Sequence, residues 1–181
     1  MRTTRCISIV ACVSTLLALG VLVAPQSIAA PSSRPFANTL TPATPKVIWK
    51  LLAYNEAPIV RTVLGKNSEV GSEMLWGAKL TDAKGKHLGV VEGVVITEDT
   101  LAGTGEDVLR HRSQTYMLSG GQLEAEGSSY YPVNQERMQL NKPSTIAIVG
   151  GTGKFIGAGG QVTTTRMPDG RYKHLIELVR F

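Results

Sequence analysis

Cysteine is almost missing from this 181-residue chain: there are 2, Cys6 and Cys12. Beyond Cys12 the chain has no disulfide framework and no thiol nucleophile, so its stability has to come from a buried core. Basic residues never form a run, although the net charge is +5. Aromatic residues are only 6% of the chain and lie scattered, which leaves nucleic-acid binding without support. His87, His111 and His174 are too few and too dispersed for a metal-ligand spacing, and read as surface or hydrogen-bonded polar residues. No Gly-x-Ser-x-Gly elbow and no Ser-His-Asp order stand out. No segment carries a long helical period either. The sequence implies neither a cofactor nor a metal.

The amino terminus is organised differently. Arg2 and Arg5 precede an apolar stretch from Ile7 to Ala24, and Ser27-Ile28-Ala29 supplies small residues for cleavage. This composition predicts a signal peptide over residues 1–29, and hence a secreted or extracytoplasmic protein. The stretch is also just long enough to hold the chain in a membrane if it is not cleaved. Residues 30–45 are rich in proline and small polar residues, and read as a flexible linker or an arm that closes a mouth of the domain.

The domain proper is expected over residues 46–181. Its most informative segment is Ile146-Ala147-Ile148-Val149-Gly150-Gly151-Thr152-Gly153-Lys154-Phe155. An apolar run stops at clustered glycines, which implies a sharp reversal and a β-hairpin. A phosphate loop is excluded because Phe155 follows Lys154 where Ser or Thr belongs. A dinucleotide fingerprint fails as well, because Ile156 stands where a third glycine is needed. Gly157, Gly159 and Gly160 point to a bent strand or to close approach of another group.

This segment, with Ala158-Gly159-Gly160 after it, resembles the motif of the dirigent and allene-oxide-cyclase superfamily. A looser echo runs from Leu118-Ser119-Gly120-Gly121-Gln122-Leu123 to Ala125-Glu126-Gly127. The resemblance covers about residues 73 to 181. It implies an all-β fold, an eight-stranded antiparallel barrel with an apolar interior. Members of that superfamily include cyclases, guides of radical coupling, and bacterial proteins that close linear polyketides by [4+2] cycloaddition.

Alternation and turn residues place strands at Lys46–Tyr54, Glu73–Thr81, Lys86–Glu98, Val108–Leu118, Gln122–Tyr131, Ser144–Val149, Phe155–Thr165 and Arg171–Arg180. Turns fall at Asp82–Gly85, Ser119–Gly121 and Met167–Gly170. A four-residue loop at Asp82 sets Met74 opposite Gly93, Trp76 opposite Val91 and Ala78 opposite Gly89, on the inward face. A two-residue loop after Leu118 turns Arg112, Gln114 and Tyr116 inward, with Tyr116 opposite a residue near Ala125. Glu124 and Glu126 then face solvent. For the last strand, His174-Ile176-Leu178 and Leu175-Glu177-Val179 are equally acceptable inner faces. Lys142-Pro143 and Arg110-His111-Arg112 read as short charged patches.

The inward set is an apolar lining with few donors, suited to a hydrophobic ligand carrying one or two oxygens. Met74, Trp76, Val91, Arg112 and Tyr131 are the expected substrate-binding residues, and Gln114 and Tyr116 the expected catalytic ones. The plainer alternative is that these side chains only fill the barrel. Two functions follow. One is a cyclase or isomerase that folds a polyketide-like chain, where holding the reacting parts together removes much of the barrier. The other is a secreted, non-catalytic barrel for a lipid or phenolic compound. The leader favours the second, and the bacterial relatives the first. The expected partner is a hydrophobic small molecule, with a homodimer possible and membrane contact only through a retained leader.

Overall fold

The structure, a computed structural model, describes residues 44, 46–66, 69–99, 107–133 and 135–180. The expected leader and all but the end of the proline-rich segment lie outside these residues. Nine antiparallel strands follow in order: β1 Lys46–Asn55, β2 Ile59–Leu64, β3 Glu73–Thr81, β4 His87–Asp99, β5 Asp107–Leu118, β6 Gly121–Pro132, β7 Ser144–Gly151, β8 Gly160–Arg166 and β9 Tyr172–Arg180. They lie in the order β1-β9-β8-β7-β6-β5-β4-β3-β2. The end of β1 also pairs with β3, Tyr54 opposite Thr81 and Asn55 opposite Leu80, and β2 continues along that same edge with Ile59 opposite Gly77. β1 and β2 are thus two halves of one stave, broken around Pro58, which has no N–H to give a ladder. The result is a closed eight-stave barrel, with the unpaired edges of an open sheet removed.

The unforeseen strand is β2. Its sequence, Ile-Val-Arg-Thr-Val-Leu, has strand composition, but Asn55 to Pro58 reads as a turn, and only closure onto β3 gives the segment a partner.

Both foreseen hairpin registers are displaced by two residues, and in both cases the inward face survives. In the first, Asp82 Oδ1 accepts from the N–H groups of Lys84 and Lys86, so the loop takes in Lys86 and sets Thr81 opposite His87. A bulge then adds one residue more, pairing Met74 with Val95, Trp76 with Gly93 and Ala78 with Val91. Two one-residue slips cancel in parity, so the even-numbered side chains of β3 still point inward. In the second, the loop is the expected two residues, and Tyr116 faces Leu123, an odd-numbered residue as expected and two positions before Ala125. On β9 the inner face is His174-Ile176-Leu178, and all three are buried.

The glycine segment differs more. β7 ends at Gly151, and Gly153–Phe155 form one 3-10 turn, so residues 155–159 are not strand. Lys154 N–H donates to Gly120 O at 2.9 Å and Thr152 N–H to Gln122 O at 2.9 Å. The two glycine-rich segments therefore meet at the base of the barrel. Phe155 is carried inside there and lies edge-on to Trp49, with ring centroids 5.6 Å apart. Gly153 has φ +59°, and a Cβ on it would lie 2.2 Å from Gly120 O. Gly151 has no such φ. Its constraint is close approach, 2.7 Å from a built Cβ to Gln122 O and Phe155 O.

The interior is layered. Leu80, Val91, Tyr116, Leu123, Ile148, Phe155, Val162 and Ile176 belong to an apolar cluster that fills the base. Met74, Val95, Val108, Tyr131, Met138 and Tyr172 form a second cluster at the rim. Between them the inward positions turn polar, with Asn55, Arg112, Gln114, Thr164 and His174 all buried.

Gly153→Val is expected to lower the melting midpoint by roughly 5–10 °C, because it combines a strained φ with a clash against backbone. Gly150→Ala is the control, since a Cβ there meets nothing within 4 Å. Thermal denaturation followed by circular dichroism compares them. Equal midpoints for the two variants would show that the base does not depend on this turn.

Candidate functional site

The polar belt opens onto a cavity of about 70 Å³. Strands supply most of its wall: Met74 and Trp76 from β3, Val95 from β4, Arg112 and Gln114 from β5, Tyr131 from β6, Thr164 from β8, and Tyr172 and His174 from β9. Asn55, Pro58 and Val60 come from the broken stave, and Glu136, Arg137 and Met138 from the irregular connection between β6 and β7. Five expected residues, Met74, Trp76, Arg112, Gln114 and Tyr131, therefore do meet at one place. Val91 and Tyr116 do not line it; both are buried in the basal cluster, one layer below. Trp76 gains its room from Gly93 opposite, where a Cβ would stand 3.1 Å from the indole.

Tyr116 acts on the cavity from beneath. Its O–H lies 2.8 Å from Gln114 Oε1 and 3.1 Å from His174 Nδ1. Thr164 Oγ1 is 3.2 Å from the same Nδ1, and His174 Nε2 meets Asn55 Oδ1. Asn55 Nδ2 donates to the carbonyl of Glu56, which fixes the amide with its oxygen toward the imidazole. Nε2 therefore carries the proton and Nδ1 accepts, from Thr164. The phenol is left to donate to Gln114 Oε1, and this turns the Gln114 NH₂ group into the cavity. Burial is the first cause holding His174 down to about 3, and the positive charge of Arg112 adds to it. Burial also pushes the Tyr116 phenol well above its ordinary value. At neutral pH this chain is wholly uncharged.

Arg112 supplies the charge. Nη1 donates to Met138 Sδ at 3.4 Å and Nη2 to Ser144 Oγ at 3.2 Å, while Nε has no hydrogen-bond partner among the described residues. The cavity thus presents an amide NH₂ and a guanidinium beside Met74, Trp76 and Val95, donors of the kind that can polarise a carbonyl oxygen. Among the described residues no group of His, Cys, Asp and Glu could hold a metal ion. His87 is exposed, and His111 lies 3.9 Å from Glu98 outside the barrel. Sequence reasoning missed Asn55, Thr164, His174 and Met138. For His174 a signal existed, because it is the polar member of one of the two faces weighed for β9.

Because folded His174 stays neutral down to about 3 and the unfolded residue titrates near 6.5, the unfolded state takes up the proton first. Stability is therefore lost as pH falls through 6.5, by about 2 kcal/mol between pH 7 and pH 5 from this group alone. His174→Gln keeps hydrogen-bonding capacity without titrating, and should lose that much less over the same window. Urea midpoints at the two pH values measure it. Equal losses in parent and variant would mean that the imidazole is not buried neutral.

No family model matches this sequence, and no curated protein matches it. Solved structures do, at low identity. A structure described as pyocyanin demethylase matches with TM-score 0.54 and 21% identity, over 72% of this chain and 99% of that one. A nonspecific heme-binding cyclase that catalyses [4 + 2] cycloaddition during neoabyssomicin biosynthesis matches with TM-score 0.55 and 12% identity, over 74% of this chain. This chain spans 63% of that cyclase's length. A pterocarpan synthase dirigent protein matches with TM-score 0.51 and 17% identity, over 74% of this chain and 84% of its own. At these identities the likeness is one of fold: the closed antiparallel barrel is shared with those structures.

Proposed function

We propose that this barrel is a cofactor-independent cyclase or isomerase that takes a hydrophobic, carbonyl-bearing chain and folds it for ring closure. The observation that carries this reading is the oriented Gln114 amide beside the buried Arg112, both on a cavity whose wall also includes the apolar side chains of Met74, Trp76 and Val95. Matching structures described as a [4 + 2] cyclase and a dirigent protein support the type of chemistry, and the demethylase shows that the same barrel serves other reactions.

Each residue has a physical task. Met74, Val95 and Trp76 bury the hydrocarbon and bring its reacting ends together. Arg112 and Gln114 donate to the carbonyl oxygen, and their contribution grows as negative charge develops there. Tyr116 is a positioning residue: it holds Gln114 through Oε1, and Thr164, His174 and Asn55 hold the next links of the chain. The enclosed space is small beside the ~300–1,000 Å³ of ordinary ligand pockets. Substrate entry therefore displaces side chains, and for Met138 to move it has to give up its contact with Arg112. The leader expected over residues 1–29 puts the reaction outside the cytoplasm, which sequencing the mature amino terminus checks.

A dienyl ketone is a suitable probe. In a Trp49→Phe background Trp76 is the sole tryptophan, and its emission should shift on binding. Tyr116→Phe removes one hydroxyl and frees the Gln114 amide to rotate. It should lower kcat about tenfold with little change in KM, as expected for an interaction made in the transition state. Binding with no product from any diene tried would leave the non-catalytic ligand-binding barrel as the correct reading. A Trp76 signal insensitive to every hydrophobic ligand would remove the site altogether.

A further inference from the structure

The charges of the polar belt do not balance. Arg110 and Arg112 follow one another on the inward face of β5, 2% and 1% exposed. A guanidinium cannot shed its proton in a protein. Arg112 donates to a thioether and a hydroxyl and also interacts with the Tyr131 phenol, and all three groups are neutral. Its Nε, together with Nε and Nη2 of Arg110, finds no hydrogen-bond partner among the described residues. Arg110 stacks on Tyr131, with Cζ 5.0 Å from the ring centroid, which offsets part of its desolvation but leaves its N–H groups open. Neither arginine forms an ion pair among the described residues.

No group around the cavity supplies the missing negative charge. Besides Arg112, its ionisable neighbours are Tyr131, Tyr172, His174, Glu136 and Arg137. Burial raises both phenols and lowers the imidazole, so all three are neutral at pH 7. The field of Glu136 reaches Arg110, but Glu136 is exposed and sits beside Arg137, which carries the opposite charge. A buried cation left without a counter-charge is heavily penalised, while one that meets an oxyanion in a dry site is bound strongly.

Resting on the small-molecule reading above, we infer that the ligand of this cavity is an anion: a hydrophobic molecule ionised as a planar oxyanion, a carboxylate being the simplest case, paired with the Arg112 guanidinium once entry has displaced the side chains that cover it. Its hydrocarbon part lies against Met74, Val95 and Trp76. Arg110, one inward position nearer the rim, adds long-range attraction during entry. A neutral ketone or ester of the same shape leaves the guanidinium short of a counter-charge and binds less well.

Trans-cinnamate and trans-cinnamamide are matched in shape and differ in charge at pH 7.5. Isothermal titration of the purified protein with each, supported by Trp76 emission, tests the inference. Cinnamate should bind at least about tenfold more tightly than the amide, a difference of the size that a charged hydrogen bond carries. Arg112→Met should abolish the preference by weakening cinnamate alone, and should melt no lower than the parent, since it removes an unpaired buried charge. Arg112→Lys, which keeps the charge, should retain part of the preference if the methionine variant fails to fold. Equal affinities in the parent would overturn the anion while leaving the hydrophobic cavity in place. A preference undiminished in a folded Arg112→Met would overturn the assignment to Arg112. Failure of both probes to bind at millimolar concentration would overturn the cavity reading and this inference together.

Discussion

Alternation along β5 is the constraint on which the rest of the molecule depends. Val108, Arg110, Arg112, Gln114 and Tyr116 are all buried, and each sits at a different height in the barrel. A pleated strand in a closed barrel offers no third direction, so a residue that is not outside is inside. The sequence places valine at the rim end of this row, tyrosine at the base end, and three polar side chains between. The layering of the whole interior follows. β9 answers with Tyr172, His174 and Ile176, and β3 with Met74, Trp76 and Leu80, each passing from rim cluster to basal cluster at the same levels.

A polar belt inside a barrel is expensive unless its members satisfy one another. The neutral members do. Asn55, His174, Thr164, Tyr116 and Gln114 form a continuous chain in which the imidazole tautomer, the amide orientation and the phenol proton are fixed in turn by their neighbours. The arginines do not. One half of the belt is thus fully paired, while the other half keeps buried guanidinium nitrogens without partners among the described residues, Arg112 Nε beside the cavity among them.

The inward faces of β3, β5 and β6 were legible because parity is robust. A register displaced by two residues returns every side chain to the same face, so Met74, Trp76, Arg112, Gln114 and Tyr131 were placed correctly on partners that were wrong. The depth of a residue within the barrel is not protected in this way. Tyr116 and Val91 point inward as expected, yet they belong to the base, because height depends on the absolute register that the bulge after Leu80 alters. What could not be read at all depends on closure. Asn55 reaches His174 only because β1 pairs with β9, and β2 exists as a strand only because β3 receives it.

The glycine motif shows the same division between local and nonlocal information. Its composition announces a reversal, and a reversal is present. Its form is set by the segment it meets, the β5–β6 turn at Gly120, from across the base. Without that partner Gly151 and Gly153 would serve a simple hairpin. With it, Gly153 takes φ +59° against Gly120 O, the chain makes a 3-10 turn, and Phe155 is delivered into the barrel beneath Trp49. The plug at the base and the buried arginines toward the rim then give the barrel its polarity: one end filled by apolar and aromatic packing, the other carrying the polar belt and the cavity.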